Sequence, residues 1–206
     1  MGDPITVDLF AEDQAHEEFI KAIVDRLAAE EQKVISLRVR SARSGHGRAL
    51  GELSLYQRAV IEGLAGLTRP DLLVVAIDAN CKRVAAAKKE ITEKIDSSLR
   101  NQTVVACPDP HIERWYVADP DSFAQVVGAR PKLGRKKCER GYYKSILSGT
   151  LASAGHPTTL GGIEFAPELV AAMDLHRAGK TERTLKDFVQ DARNAIRTIA
   201  PRRGGQ

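Results

Sequence analysis

The seven residues Asp71–Ile77, DLLVVAI, constrain the fold more than any other stretch, because six apolar residues follow Asp71 without a break. The run is too short for a buried helix and lacks the alternation that would leave one face to water. It reads as a strand covered on both faces, the pattern of a largely parallel sheet between helices. The periods on either side agree with this. Ile5–Phe10 and Val34–Val39 are strand-like, as is Thr103–Cys107, which Pro108 and Pro110 close. Ala15–Ala29 puts Phe19, Ile20, Ile23, Val24 and Leu27 at helical spacing, with Asp13 as its N-cap. Leu53, Tyr56, Val60, Ile61 and Leu64 mark a second helix after a glycine-rich connection, Ser41–Gly51, and Lys82–Leu99 a third.

Beyond Ile112 the pattern is helical only: Ile112–Ala118, Asp121–Val127, Tyr142–Ser153, Pro167–Ala178 and Thr184–Ala200. The expected architecture is therefore α/β, with about four strands in a largely parallel sheet flanked by helices, and a helical C-terminal extension. Residues 1–150 are expected to form the α/β domain, with 151–206 packed on it and the closing Pro-Arg-Arg-Gly-Gly-Gln a frayed tail. An apolar share of 43% over 206 residues suits one domain with a real core. No run approaches the roughly 18 apolar residues that span a bilayer. The opening Met-Gly-Asp-Pro has neither the regions of a signal peptide nor a myristoylation pattern, so a cytoplasmic location is expected.

Cys81, Cys107 and Cys138 form no Cys-x-x-Cys pair. A disulfide is not expected, and packed, reduced thiols are, Cys81 beside Asp78 included. A zinc site built from these cysteines with His46 or His111 is the alternative.

In an open parallel sheet, ligands gather outside the carboxyl ends of the strands. The polar residues just past those ends are Glu12 and Asp13, Asp78 and Asn80, and Asp109 with Glu113 one helical turn on. One carboxylate after a strand is commonly a helix cap. Three on one edge repel each other, and a divalent cation relieves that. Mg²⁺, or Mn²⁺ in its place, is the expected ion, since it needs few protein oxygens and leaves room for a phosphate. Asp78 is the principal ligand in this reading, with Glu12, Asn80 and Glu113 completing the site.

The same residues carry a family resemblance. Phe10-Ala11-Glu12-Asp13-Gln14-Ala15-His16-Glu17 is similar to the Glu-Gly-x-x-Glu opening of the Toprim fold of topoisomerases, primases and OLD-type nucleases, and Val74–Asn80 to its Asp-x-Asp strand. Pro108–Asp119, with Ile112-Glu113-Arg114-Trp115, resembles the Pro-x-x-x-Ile-Glu-x-Trp-x-x-Ala-Asp block of the DUF4276 group, as does Arg43-Ser44-Gly45-His46-Gly47-Arg48. The resemblance spans roughly residues 5–150. Three positions depart from the pattern: Asp13 stands for the usual glycine, His16 for an acid, and Asn80 for the second aspartate, which leaves the site one negative charge short.

Basic residues fall in two clusters, although the net charge is only +4. Arg38, Arg40, Arg43 and Arg48 lie around the end of the second strand. Lys136, Lys137, Arg140 and Lys144 lie in a basic segment with Tyr142 and Tyr143. Such clusters beside a metal centre suit a nucleic-acid backbone, and the tyrosines could stack on bases. A solvated loop is the plainer reading of each. Ser44-Gly45-His46-Gly47 lacks the Gly-Lys-Ser/Thr ending of a P-loop. His46 is either a phosphate donor and general acid or a turn histidine. Trp115 and Tyr116 are expected in the core.

These readings converge on phosphodiester hydrolysis of DNA or RNA, with catalytic roles for Glu12, Asp78, Glu113 and His46, and with Lys82 and the basic clusters holding substrate. The resemblance adds an expected setting, a bacterial phage-defence effector working with a separate ATPase. The alternative is a Toprim-like module that binds nucleic acid or a partner protein without cutting. The oligomeric state is open.

Overall fold

The computed structural model describes residues 3–42, 46–134 and 136–199. Arg43, the side chain of His46 and the closing tail lie outside that description. The sheet has four strands, β1 (Ile5–Ala11), β2 (Ile35–Ser41), β3 (Leu72–Ala76) and β4 (Thr103–Ala106), in the order β2-β1-β3-β4. Every pairing is parallel. The run that dominates the sequence is β3, all five residues buried. It lies beside β1 at the centre.

The helices are α1 (Gln14–Glu30), α2 (His46–Ile61), α3 (Val84–Lys94), α4 (Glu113–Tyr116), α5 (Pro120–Val127), α6 (Tyr142–Ser153), α7 (Ala166–Ala172), α8 (Leu175–Thr181) and α9 (Arg183–Thr198). Asp13 caps α1 as expected, accepting from the His16 backbone N–H at 3.1 Å. Strand alternation divides the core in two. Val7, Leu9, Ala11, Leu72, Val74, Ala76, Val104 and Ala106 face α1 and the helices after β4. Phe10, Leu73, Val75 and Ile77 face α2 and α3. The C-terminal helices belong to the first of these cores: Leu147, Leu151, Leu169, Phe188 and Ile196 are buried in one cluster with β1 and α1. Trp115 and Tyr116 are core residues, with Trp115 stacked on Phe188 at 5.7 Å between ring centroids.

Three helix boundaries differ from the sequence reading. The glycine-rich connection is largely helix, since α2 starts at His46; Ala49, Leu50 and Leu53 bury one side, and that packing overrides the low propensity of Gly47 and Gly51. The third helix ends at Lys94 rather than Leu99 because buried Gln57 of α2 takes over its last turn. Gln57 Nε2 donates to the Lys94 carbonyl (2.9 Å), and Gln57 Oε1 accepts from the Asp96 N–H (2.8 Å). The segment expected as one helix over Pro167–Ala178 breaks at extended Met173, where Asp174 caps α8 by accepting from the Arg177 N–H (2.9 Å). No helix among the described residues is long and apolar enough to cross a membrane.

The cysteine expectation is overturned. Cys81 and Cys138 form a disulfide, their Cα atoms 5.9 Å apart. Fifty-seven positions separate them in sequence, so only the folded path brings them together. Cys107 alone fits the packed-thiol reading: it is buried and free, and burial pushes its thiol up to about 12.

Candidate metal centre

The strand register builds the site. Ser41, Ala11, Ala76 and Ala106 align as one row across the carboxyl ends of all four strands. The ladder then continues past the regular strands, with the Glu12 N–H bonded to the Ala76 carbonyl (2.9 Å) and the Ile77 N–H to the Ala106 carbonyl (3.0 Å). Glu12 and Asp78 therefore leave the two central strands side by side. The chain runs outward from β1 to β2 on one side and to β3 and β4 on the other, so the two acids stand where the winding reverses. The Asp78 backbone N–H donates to Glu12 Oε2 at 2.9 Å.

A histidine completes the cluster. His16, in the first turn of α1, has no exposed surface. Its Nδ1 lies 2.7 Å from Asp13 Oδ1 and its Nε2 lies 2.9 Å from Asp78 Oδ1. A second histidine, His111, approaches Asp78 Oδ2 with its Nδ1 at 3.1 Å. Glu12, His16 and Asp78 each offer a donor atom within 4.8 Å of the others, and they are the group of three such residues that converges among those described.

The electrostatics follow from this crowding. Burial alone would raise the Asp78 carboxyl, but the His16 and His111 imidazoles beside it hold it below the ordinary value. Burial likewise disfavours a charged His16, yet Asp78 and Asp13 on either side raise it well above the ordinary histidine value. Asp13 works against its own partial burial and comes down to about 2 through its bonds to His16. His111 is raised chiefly by its bond to Asp78. Glu113 is pushed up by burial, with the charges of Asp78 and Asp13 adding to it.

Of the residues singled out from sequence, Glu12 and Asp78 meet. Glu113 stands close enough to feel Asp78 but outside the converging group. Asn80 is also outside it. Its backbone takes a left-handed φ of 49°, its N–H bonds to the Pro110 carbonyl (3.0 Å), and its buried Nδ2 has no hydrogen-bond partner among the described residues. On sequence, His16 stands as a departure from an acidic pattern and His111 only as an alternative zinc ligand with the cysteines. His16 could have been found from its place one turn after Glu12, on the face of α1 that meets the sheet.

The two-carboxylate, one-imidazole set suits a divalent cation, because two negative charges and a nitrogen donor meet in a nearly buried place. With Cys81 and Cys138 bonded to each other, zinc held by these cysteines with His111 is not the arrangement seen.

The basic residues separate into two kinds. Arg38 is committed to the fold: its guanidinium bonds buried Asp8 and both the hydroxyl and the carbonyl of Thr68. Arg40 and Arg48 are exposed, and Lys82 pairs with Glu90 at 2.6 Å. The 136–140 segment is joined to the loops after β3 and β4 by two ties. One is the disulfide to Cys81, three residues past Asp78; the other is the Lys137–Asp109 ion pair at 2.7 Å, two residues before His111. Lys136 pairs with Glu139 at 3.0 Å, while Arg140 and Lys144 are exposed.

Comparison with curated proteins and with solved structures gave no match. The family model described as a domain of unknown function, DUF4276, matches residues 11–192, from the last residue of β1 into α9, and the chain belongs to that family.

Proposed function

We propose that this protein is a metal-dependent nuclease that hydrolyses phosphodiester bonds of DNA or RNA. The observation that carries the reading is the pairing of Glu12 with Asp78 at the reversal point of a parallel sheet, joined at 2.9 Å and backed by His16. The Toprim resemblance of the same two segments points the same way. So does the basic 136–140 segment, tied beside the acids by Cys81–Cys138 and Lys137–Asp109. Phosphates held by Lys136, Lys137, Arg140 and Lys144 would lie near the carboxylates.

In this reading Asp78 and Glu12 hold Mg²⁺ or Mn²⁺, with Glu113 and Asn80 at the margin. The bound ion would supply positive charge to the scissile phosphate and make a water more acidic. Glu12 would alternatively take the proton of the attacking water, and His46 or His111 would donate to the phosphate or its leaving oxygen. The resemblance extends the proposal to a cytoplasmic effector of bacterial phage defence that works with an ATPase.

Asn80 favours a second reading, a module that binds nucleic acid or a partner without cutting. It replaces the second aspartate of the resembling pattern and stays outside the converging group. Incubation with plasmid, single-stranded DNA and tRNA, with Mg²⁺ or Mn²⁺ and with EDTA, separates the two. The nuclease reading expects metal-dependent cleavage that disappears in Asp78→Ala and Glu12→Ala. EDTA-insensitive binding without cleavage, even with an ATPase partner added, would establish the second reading instead.

A further inference from the structure

The third potential donor of the Glu12–His16–Asp78 group is a nitrogen, and its setting bears on which ions such a group would prefer. His16 is fully buried in the first turn of a capped helix, so its ring has little freedom. Asp13 Oδ1 faces Nδ1 at 2.7 Å, and the same oxygen caps the helix by accepting the His16 N–H at 3.1 Å. A carboxylate fixed on one ring nitrogen is how proteins aim the other nitrogen at a metal. Here the other nitrogen, Nε2, points at Asp78 Oδ1 from 2.9 Å, among the donors of the Glu12–His16–Asp78 group.

We propose that His16 Nε2 is a direct metal ligand beside Glu12 and Asp78, the entering ion taking the place of the proton that Nε2 shares with Asp78 and releasing it to solvent, that Asp13 positions the ring, and that the centre selects a first-row transition dication such as Mn²⁺ over Mg²⁺. Mg²⁺ is a hard ion that takes oxygen donors and keeps its waters. An imidazole suits the transition ions, and two carboxylates with one imidazole extend the match to Mn²⁺. The replacement of an acid by His16 then changes the ion that the site takes, rather than leaving the site defective. This inference rests on the metal-site part of the function proposed above.

The test is metal binding by the full chain, independent of any activity. Mn²⁺ is titrated and followed by the EPR signal of the free ion, and pulsed EPR of the bound ion detects coupling to ¹⁴N. The expected result is one Mn²⁺ per chain with ¹⁴N coupling, and displacement only by Mg²⁺ in at least about 100-fold excess. His16→Gln should lose the coupling, whereas His111→Gln should keep it. Asp13→Asn retains the helix cap, because asparagine caps as well as aspartate. It should keep the coupling while weakening Mn²⁺ binding about 10- to 100-fold. Bound Mn²⁺ without ¹⁴N coupling in the wild-type chain, or Mg²⁺ competing on equal terms, overturns this inference and leaves the metal-dependent reading standing. Failure of the wild-type chain to bind any divalent ion overturns both.

Discussion

The backbone N–H of Asp78 donates to Glu12 Oε2 across 2.9 Å, so the two acids that leave the central strands are tied together by the protein itself. Glu12 thereby has two roles, as a charge and as the acceptor for a buried N–H. Different substitutions separate them. Glu12→Ala leaves the Asp78 N–H without its acceptor and should cost about 1–3 kcal/mol in urea unfolding. Glu12→Gln keeps an acceptor oxygen, so its stability should stay within about 1 kcal/mol of wild type while divalent-ion affinity falls. Equal destabilisation by both would mean that the charge, not the acceptor, stabilises the turn.

The Cys81–Cys138 disulfide joins the turn after β3 to the basic segment across 57 positions, and both cysteines are exposed to a reductant. Closing a loop of that length stabilises by about 4 kcal/mol on the chain-entropy view, with engineered bonds commonly falling below it. Reduction, or Cys138→Ser, should lower stability by up to that amount. It should also speed hydrogen exchange in residues 136–140 while leaving β1 and β3 protected. Unchanged exchange on reduction would show that Lys137–Asp109 alone holds the segment.

What the sequence could and could not reveal follows from the range of the interactions involved. Buried β3 and amphipathic α1 declare themselves because their burial is written in local periodicity, and Glu12 and Asp78 follow from the strand ends. The end of α3 depends on Gln57, from another helix, and the start of α2 on how Ala49, Leu50 and Leu53 pack. Neither is a local property. Cys81–Cys138 depends on how the chain returns after α5. His16 is legible by its place on the face of α1 that meets the sheet, but against an acidic pattern it looks like a loss, and its two carboxylate partners, Asp13 and Asp78, come together only in the fold.

Asp119 gives the fold a dependence on acid. It is 1% exposed and accepts from Arg177 Nε and Nη2, each at 2.7 Å, and from the Asp174 N–H at 2.9 Å. Burial opposes its charge, but these donors bring the carboxyl well below its ordinary value of 3.8. A carboxyl depressed in the folded state binds fewer protons there than when unfolded. Its stabilisation is complete above about pH 4 to 5 and declines as pH falls below the unfolded value. Asp119→Asn should lose about 2–3 kcal/mol at pH 7, less than for a fully buried pair because Arg177 is 44% exposed. Urea unfolding from pH 7 to pH 3 should then show a shallower acid decline in the variant than in wild type. Parallel curves would place the acid sensitivity elsewhere.

Trp115 and Phe188 bring together α4, which follows β4 at the edge of the sheet, and α9, the last helix described. Their rings stack at 5.7 Å, Trp115 has no exposed surface, and its Nε1 donates to Thr184 Oγ1 at 3.1 Å. Because Trp115 is the chain's one tryptophan, its fluorescence reports on the core around this contact, where it also meets the Phe19 ring of α1 at 6.1 Å. Phe188→Ala removes a fully buried ring and should cost about 3–5 kcal/mol. If the sheet and the C-terminal helices share one core, the fluorescence change and the far-UV circular dichroism change should coincide in urea, before and after the substitution. An early red shift with the helical signal intact would mean that α9 leaves the sheet before the rest unfolds. The helices beyond residue 150 would then be a separable layer rather than part of the core that holds Glu12 and Asp78 in place.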